Sequence, residues 1–253
     1  MKEKLYTIPI NDALKAEDEC PFCFIARKLE QDLLDFVLGN SASYMEYDVR
    51  NATDKEGFCR EHSRKMFEYG NTLGNAWILK TYIMHLNKEM ADTMKKHSSS
   101  KSAGLFKAKS ASAPQDSVSA WIKKKQDSCY ICNQFNEMYN RAMGIFLDLY
   151  RKESEFHETV LKSKGFCLLH FGDLCEYAQT HLNEKEKAGF YPELFELMQK
   201  NMERIFEDVS WLIEKFDYQN KDADWKNSKD AIQRAMQKLK GGYPADPPYK
   251  SKK

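Results

Sequence analysis

Cys20-Pro21-Phe22-Cys23, followed by Gly57-Phe58-Cys59-Arg60-Glu61-His62, is the stretch whose reading decides how this chain is built. The chain carries the pattern a second time, as Cys129-Tyr130-Ile131-Cys132 followed by Gly165-Phe166-Cys167-Leu168-Leu169-His170. The two copies run in step. Cys20 and Cys129 are 109 residues apart, while Cys59 and Cys167, like His62 and His170, are 108 apart. Self-similarity of this kind predicts a tandem duplication of one unit. Thiolates and imidazoles in sets of four, with two residues between the members of each pair, suit a tetrahedral zinc ion, because both side chains of a pair then reach one ion. The order along the chain assigns Cys20, Cys23, Cys59 and His62 to the first Cys3His site, and Cys129, Cys132, Cys167 and His170 to the second. Each ion would pin the start of one helix to the start of another across an excursion of 35 or 36 residues.

The sequence around these motifs reads as helix. Pro21 suits a first helical turn, where its missing N–H costs nothing, and Ile25, Leu29, Leu33, Phe36 and Val37 recur at helical spacing before Gly39-Asn40. Cys20 at the cap and Cys23 in the first turn lie where the helix dipole favours a thiolate. A helix at about 74–96 carries the stripe Leu79, Ile83, Leu86, Met90 and Met94, and a longer one at about 189–218 carries Leu194, Met198, Met202, Ile205, Val209, Leu212 and Phe216. These near-heptad stripes predict that the two long helices pack on each other. A last amphipathic helix, capped by Ser228, would turn Ile232, Met236 and Leu239 inward and stop at Gly241-Gly242. The expected fold is all-α. Its expected divisions are a first repeat at 1–96, a Lys/Ser/Ala-rich flexible linker at 97–116, a second repeat at 117–220, and a C-terminal helix with a mobile tail at 221–253.

The chain has 253 residues, 42% of them hydrophobic and 13% aromatic, enough to fill one or two cores. The first residues lack the apolar run of a secretory signal, and no window approaches the length of a membrane span, which points to a soluble cytoplasmic protein. An odd count of seven cysteines in such a chain fits reduced, metal-binding thiols better than disulfides. The net charge of +1 offers no bulk field for nucleic acid or membrane. Between Lys95 and Lys125, however, eight lysines face the single acid Asp116, with Phe106 and Trp121 as candidate stacking residues.

The paired motifs, the stretch Ser43-Tyr44-Met45-Glu46-Tyr47-Asp48-Val49-Arg50, Lys215-Phe216-Asp217-Tyr218 and the helix from Ser228 to Leu239 together resemble a Firmicutes protein family of unknown function and of about this length. The resemblance covers nearly the whole chain and implies a Firmicutes origin. It carries over no functional residue.

Cys175 stands outside the repeat; its equivalent at the 108-residue offset is Phe67, an aromatic core candidate, so a buried small apolar role is expected. His85 reads as a boundary residue, and His97, His157 and His181 as surface groups. Glu46, Asp48 and Arg50 read as a loop tied by an Asp–Arg pair rather than as a pocket. No phosphate loop, nucleophile elbow or His-Glu-x-x-His helix is present, and no catalytic residue is assigned. Because all four positions of a Cys3His site come from protein, zinc is expected to be structural, two ions per chain, in a helical scaffold or interaction module for a protein partner. Two other readings are a thiolate-based metal or redox sensor, including an iron–sulfur protein, and nucleic-acid binding through the 95–125 lysines.

Overall fold

The computed structural model describes residues 6–99 and 118–242. Among the described residues the chain forms eleven α-helices and no strand. They are α1 Ile8–Lys15, α2 Pro21–Leu38, α3 Tyr47–Glu56, α4 Arg60–Tyr69, α5 Thr72–Ser99, α6 Val118–Gln126, α7 Tyr130–Lys152, α8 Ser154–Lys162, α9 Leu168–His181, α10 Glu184–Glu214 and α11 Ala231–Lys240. The expected linker falls mostly outside the described residues, its first three positions closing α5; the expected tail from Tyr243 lies outside them as well. No described helix is long and apolar enough to cross a membrane.

The chain divides into two compact units, and neither is one continuous stretch. Among the described residues, 6–29 join 138–242 in the first, and 30–99 with 118–137 form the second. This division cuts across the stretches 1–96 and 117–220 that the motif repeat suggests. Two helices carry the exchange: α2 begins in the first unit and ends in the second, and α7 does the reverse.

The core of the first unit is aromatic. Phe22, at the start of α2, meets Phe146 of α7 at 5.2 Å and Phe166 at 5.8 Å between ring centroids, and Phe146 meets Phe156 of α8 edge-on at 5.5 Å. All four rings are fully buried. Each contributes about 1.5–3 kcal/mol of burial, with a further ~0.5–1.5 kcal/mol for each well-oriented pair. Helix α10 lays Phe190, Leu194, Leu197, Met198 and Ile205 over this core and packs on α8, α9 and α11. It starts earlier than expected because Asn183 and Glu186 form a reciprocal capping box. The core of the second unit is mixed: Leu33, Leu34, Val37 and Leu38 of α2 gather with Met66, Ile78 and Ile131 and with the rings of Tyr44, Tyr69 and Tyr130.

Several sequence-based expectations are corrected here. Of the expected α5 stripe, Leu79, Ile83 and Met94 are about half exposed and Leu86 and Met90 only partly buried, while Ile78 and Thr81 on the adjacent face are fully buried; α5 packs on α3. Thr81 tolerates burial because its hydroxyl donates to the Ile78 carbonyl at 3.2 Å, so its polarity is satisfied within the helix. On α11 the inward residues are Ala231, Gln237 and Lys238, while Ile232, Met236 and Leu239 are about half exposed. Ser228 is buried and donates to the Trp225 carbonyl, and Asp230 takes the cap position. Phe67 is exposed rather than core. Finally, Glu46, Asp48 and Arg50 do not form a loop: Glu46 caps α3, and Asp48 and Arg50 lie in its first turns.

Candidate metal centres

The Gly-Phe-Cys-x-x-His motif is a helix cap in which sulfur does what a serine oxygen usually does. Cys59 and Cys167 take the extended cap conformation before α4 and α9, and each thiol accepts the backbone N–H three residues on, from His62 at 3.5 Å and from His170 at 3.4 Å. Such bonds, together with the helix dipole, favour the thiolate. One turn of helix returns the imidazole to the same side as the sulfur, so Nδ1 of His62 lies 3.3 Å from Cys59 Sγ, and Nδ1 of His170 lies 3.2 Å from Cys167 Sγ. The glycines make the preceding turn possible. Gly57 and Gly165 have φ of +66° and +70°, and a Cβ on Gly57 would lie 2.6 Å from the Tyr82 ring.

All eight predicted ligands are brought together in fours, but in a different pairing from the one their order along the chain suggests. Cys20 and Cys23 meet Cys167 and His170 in the first unit, and Cys129 and Cys132 meet Cys59 and His62 in the second. This corrects the expectation that each motif copy closes its own site. Packing decides the pairing. Phe22, between Cys20 and Cys23, is locked into the ring cluster with Phe166, the residue before Cys167. In the second unit the Tyr130 N–H, just after Cys129, donates to the Gly57 carbonyl at 2.9 Å, and Ile131 is fully buried in the core that α2 builds.

Within each group the four donor atoms all lie within 4.8 Å of one another. In the first unit His170 Nδ1 is 3.3 Å from Cys20 Sγ and 3.4 Å from Cys23 Sγ, and the sulfurs of Cys23 and Cys167 are 3.7 Å apart. In the second, His62 Nδ1 is 3.4 Å from Cys129 Sγ and 3.3 Å from Cys132 Sγ, and the sulfurs of Cys59 and Cys132 are 3.9 Å apart. Bond lengths of ~2.3 Å to sulfur and ~2.0–2.1 Å to nitrogen around one ion require edges of roughly 3.8 Å between sulfurs and roughly 3.5 Å between sulfur and nitrogen. The residues present therefore fit a single tetrahedral ion at each centre.

The surroundings of the two centres differ. In the first unit all four ligands are buried, the His170 ring lies against Phe22 and Tyr139, and the backbone of Gly241 closes over the sulfurs: a Cβ there would stand 3.4 Å from Cys167 Sγ and 3.8 Å from Cys23 Sγ. In the second unit Cys59 and Cys132 are only partly buried. There the other ring nitrogen of His62, Nε2, meets Glu30 Oε1 at 3.0 Å, and Lys65 Nζ holds the same carboxylate oxygen at 2.5 Å. A carboxylate behind a ligand imidazole fixes its orientation and raises its basicity. Glu30→Gln is accordingly expected to lower metal affinity in the second unit by about 10–100-fold and leave the first unit unchanged. Competition with a chromophoric chelator would measure this, and unaltered affinity would show that Glu30 does nothing for the centre.

Without metal, charge settles unevenly over the donors. Burial opposes an imidazolium at His62, but hydrogen bonds to Cys129 and Glu30 outweigh it and raise the pKa to about 10. Cys129 is likewise opposed by burial, yet its contact with His62 brings it down to about 6, while burial and the nearby Cys129 charge push Cys132 up to about 12. In the first unit hydrogen bonds from Cys20 and Cys23 hold Cys167 well below the usual thiol range, burial pushes Cys20 well above it, and contacts with Cys167 and Cys23 raise His170 to about 9 against its burial. In each centre the lowered thiol and the raised imidazole are neighbours, an arrangement that favours a thiolate beside an imidazolium.

The remaining candidates join neither group. Cys175 is partly buried, and burial raises its pKa. His85 pairs with Glu89, His157 with Glu193, and His181 stacks on Tyr177. Of the 95–125 lysines, Lys125 pairs with Glu89 at 2.6 Å, and Trp121 donates to the same carboxylate. Phe106 lies outside the described residues. Four residues of the centres had escaped sequence reading: Glu30, Tyr139, Lys238 and Gly241. Only Gly241 carried a local signal, as a helix stop.

A family model described as "Family of unknown function (DUF6062)" matches residues 1–246. The chain belongs to this family. The match spans both candidate metal centres and α11. No curated protein and no solved structure matches the chain.

Proposed function

We propose that each centre holds one zinc ion in a structural role, and that this DUF6062 protein is a zinc-stabilised helical scaffold that offers its surface to a protein partner. The observation that carries the reading is the donor geometry: four protein ligands per centre, at the edge lengths of one tetrahedral ion, with no corner left for water or substrate. A catalytic zinc keeps an open position, whereas a closed one contributes folding free energy. The spacing also favours a single ion over an iron–sulfur cluster, whose cysteines bind different iron atoms and stand further apart than one tetrahedral edge. Elemental analysis with an absorption spectrum of freshly purified protein tests this. Two zinc ions per chain and a transparent visible range support it; iron with sulfide and a broad visible band overturn it.

A further inference from the structure

The two centres are closed by different devices. In the second unit the two ligand-bearing segments are joined directly, backbone to backbone, by the Tyr130 N–H and the Gly57 carbonyl. The position corresponding to Tyr130 in the first unit is Pro21, which has no N–H to give. There the Lys164 side chain donates directly to the Glu17 carbonyl at 2.7 Å, and a further tie comes from elsewhere in the chain. Lys238 of α11, fully buried, directs its ammonium to the carbonyl of Glu19 at 2.5 Å and to the carbonyl of Lys164. Glu19 immediately precedes Cys20, and Lys164 precedes the Gly165-Phe166-Cys167 turn, so one side chain ties together the two segments that supply all four ligands. Gln237 adds a bond to Asp18, and Gly241, three residues after Lys238, covers Cys167 and Cys23.

We propose that α11 is a latch on the first centre, with Lys238 its positioning residue and Gly241 its seal, so that metal leaves the first unit only when α11 undocks and leaves the second unit directly. The latch rests on the zinc reading above. It also explains why α11 turns Gln237 and Lys238 inward and leaves Ile232, Met236 and Leu239 about half exposed: its inner face carries polar side chains that hold the Glu19 and Lys164 carbonyls and the Asp18 carboxylate. The partly exposed Cys59 and Cys132 make the second centre the one that solvent and chelators reach first.

The test follows thiol alkylation by mass spectrometry while a chelator strips the metal-loaded full-length protein. In the wild type, Cys59, Cys129 and Cys132 are expected to be modified before Cys20, Cys23 and Cys167. In Lys238→Met the second set is expected to become modifiable at least about tenfold faster, with the first set unchanged, as opening of one local unit predicts. Gly241→Val, strained at φ +73°, should act in the same direction with every bond of Lys238 left in place. Circular dichroism of each variant before chelation separates undocking from unfolding. Unchanged protection of Cys20, Cys23 and Cys167 in both variants would overturn the latch. So would equal acceleration of both sets, which marks global loosening. A wild-type protein carrying no metal at the start would instead remove the zinc reading itself.

Discussion

Replacing Cys20 and Cys23 together with alanine is expected to halve the metal content and to free Cys167 and His170, leaving Cys59 and His62 bound. The outcome follows from the crossed grouping, since the partners of Cys20 and Cys23 lie 144 to 150 residues away rather than on the neighbouring motif. The effect should be large. A structural zinc site is worth about 10–16 kcal/mol in small zinc-dependent domains, comparable with the ~5–15 kcal/mol net stability of a whole protein. Losing it should leave the helices of the first unit without a fixed arrangement. Elemental analysis would give the metal count, and native alkylation would show which thiols open. If Cys59 became reactive while Cys167 stayed protected, the ligands would pair along the chain, and the grouping described above would be wrong.

Stripping both ions with a strong chelator is expected to lower the midpoint of thermal unfolding by about 20 °C or more, since ~1 kcal/mol corresponds to roughly 2–4 °C in a chain of this size. Acid should assist the chelator. In the second unit His62 and Cys132, with pKa values near 10 and 12, hold protons at neutral pH, and metal binding must expel both. Apparent affinity there should therefore rise with pH around neutrality, by about tenfold per pH unit for each proton expelled. The metal-free chain should respond differently. The raised pKa of His62 contributes stability that is complete below the unfolded imidazole value and is lost as pH rises through about 10. The lowered pKa of Cys129 contributes stability that is complete above the unfolded thiol value and is lost as pH falls through about 6. The thiolate–imidazolium pair therefore supports the metal-free chain between those limits, while the metal-loaded chain should only lose stability on acidification. Calorimetric melts of both forms across this range measure the difference; superimposable pH profiles would rule out a metal dependence of the fold.

Much of this was legible in the residues, for local reasons. A cap sulfur and an imidazole one helical turn apart converge whatever the rest of the chain does, so Cys59 with His62 and Cys167 with His170 could be read directly, as could Cys20 with Cys23 and Cys129 with Cys132. The all-helical class followed from the apolar spacing, as did the rough positions of α2, α5, α10 and α11. The stripes on α5 and α11 misled because periodicity counts only apolar side chains. Thr81 satisfies its hydroxyl within its own helix, and Lys238 satisfies its ammonium on two carbonyls distant in sequence, so both bury where a pattern expects polarity to face water.

By itself the sequence determined the eight donors, their four local pairs and the helices that present them. Which pair meets which was beyond it. The two Cys-x-x-Cys pairs are chemically equivalent to each other, as are the two Gly-Phe-Cys-x-x-His turns, so either pairing would satisfy a metal ion equally well. Tertiary structure broke that tie through groups of no metal chemistry at all: the Phe22 ring among Phe146 and Phe166, the Tyr130 N–H on Gly57, and the Lys238 ammonium between Glu19 and Lys164. The physical reason is that ligand identity is a property of one turn of chain, whereas ligand partnership is set by which cores those turns are packed into.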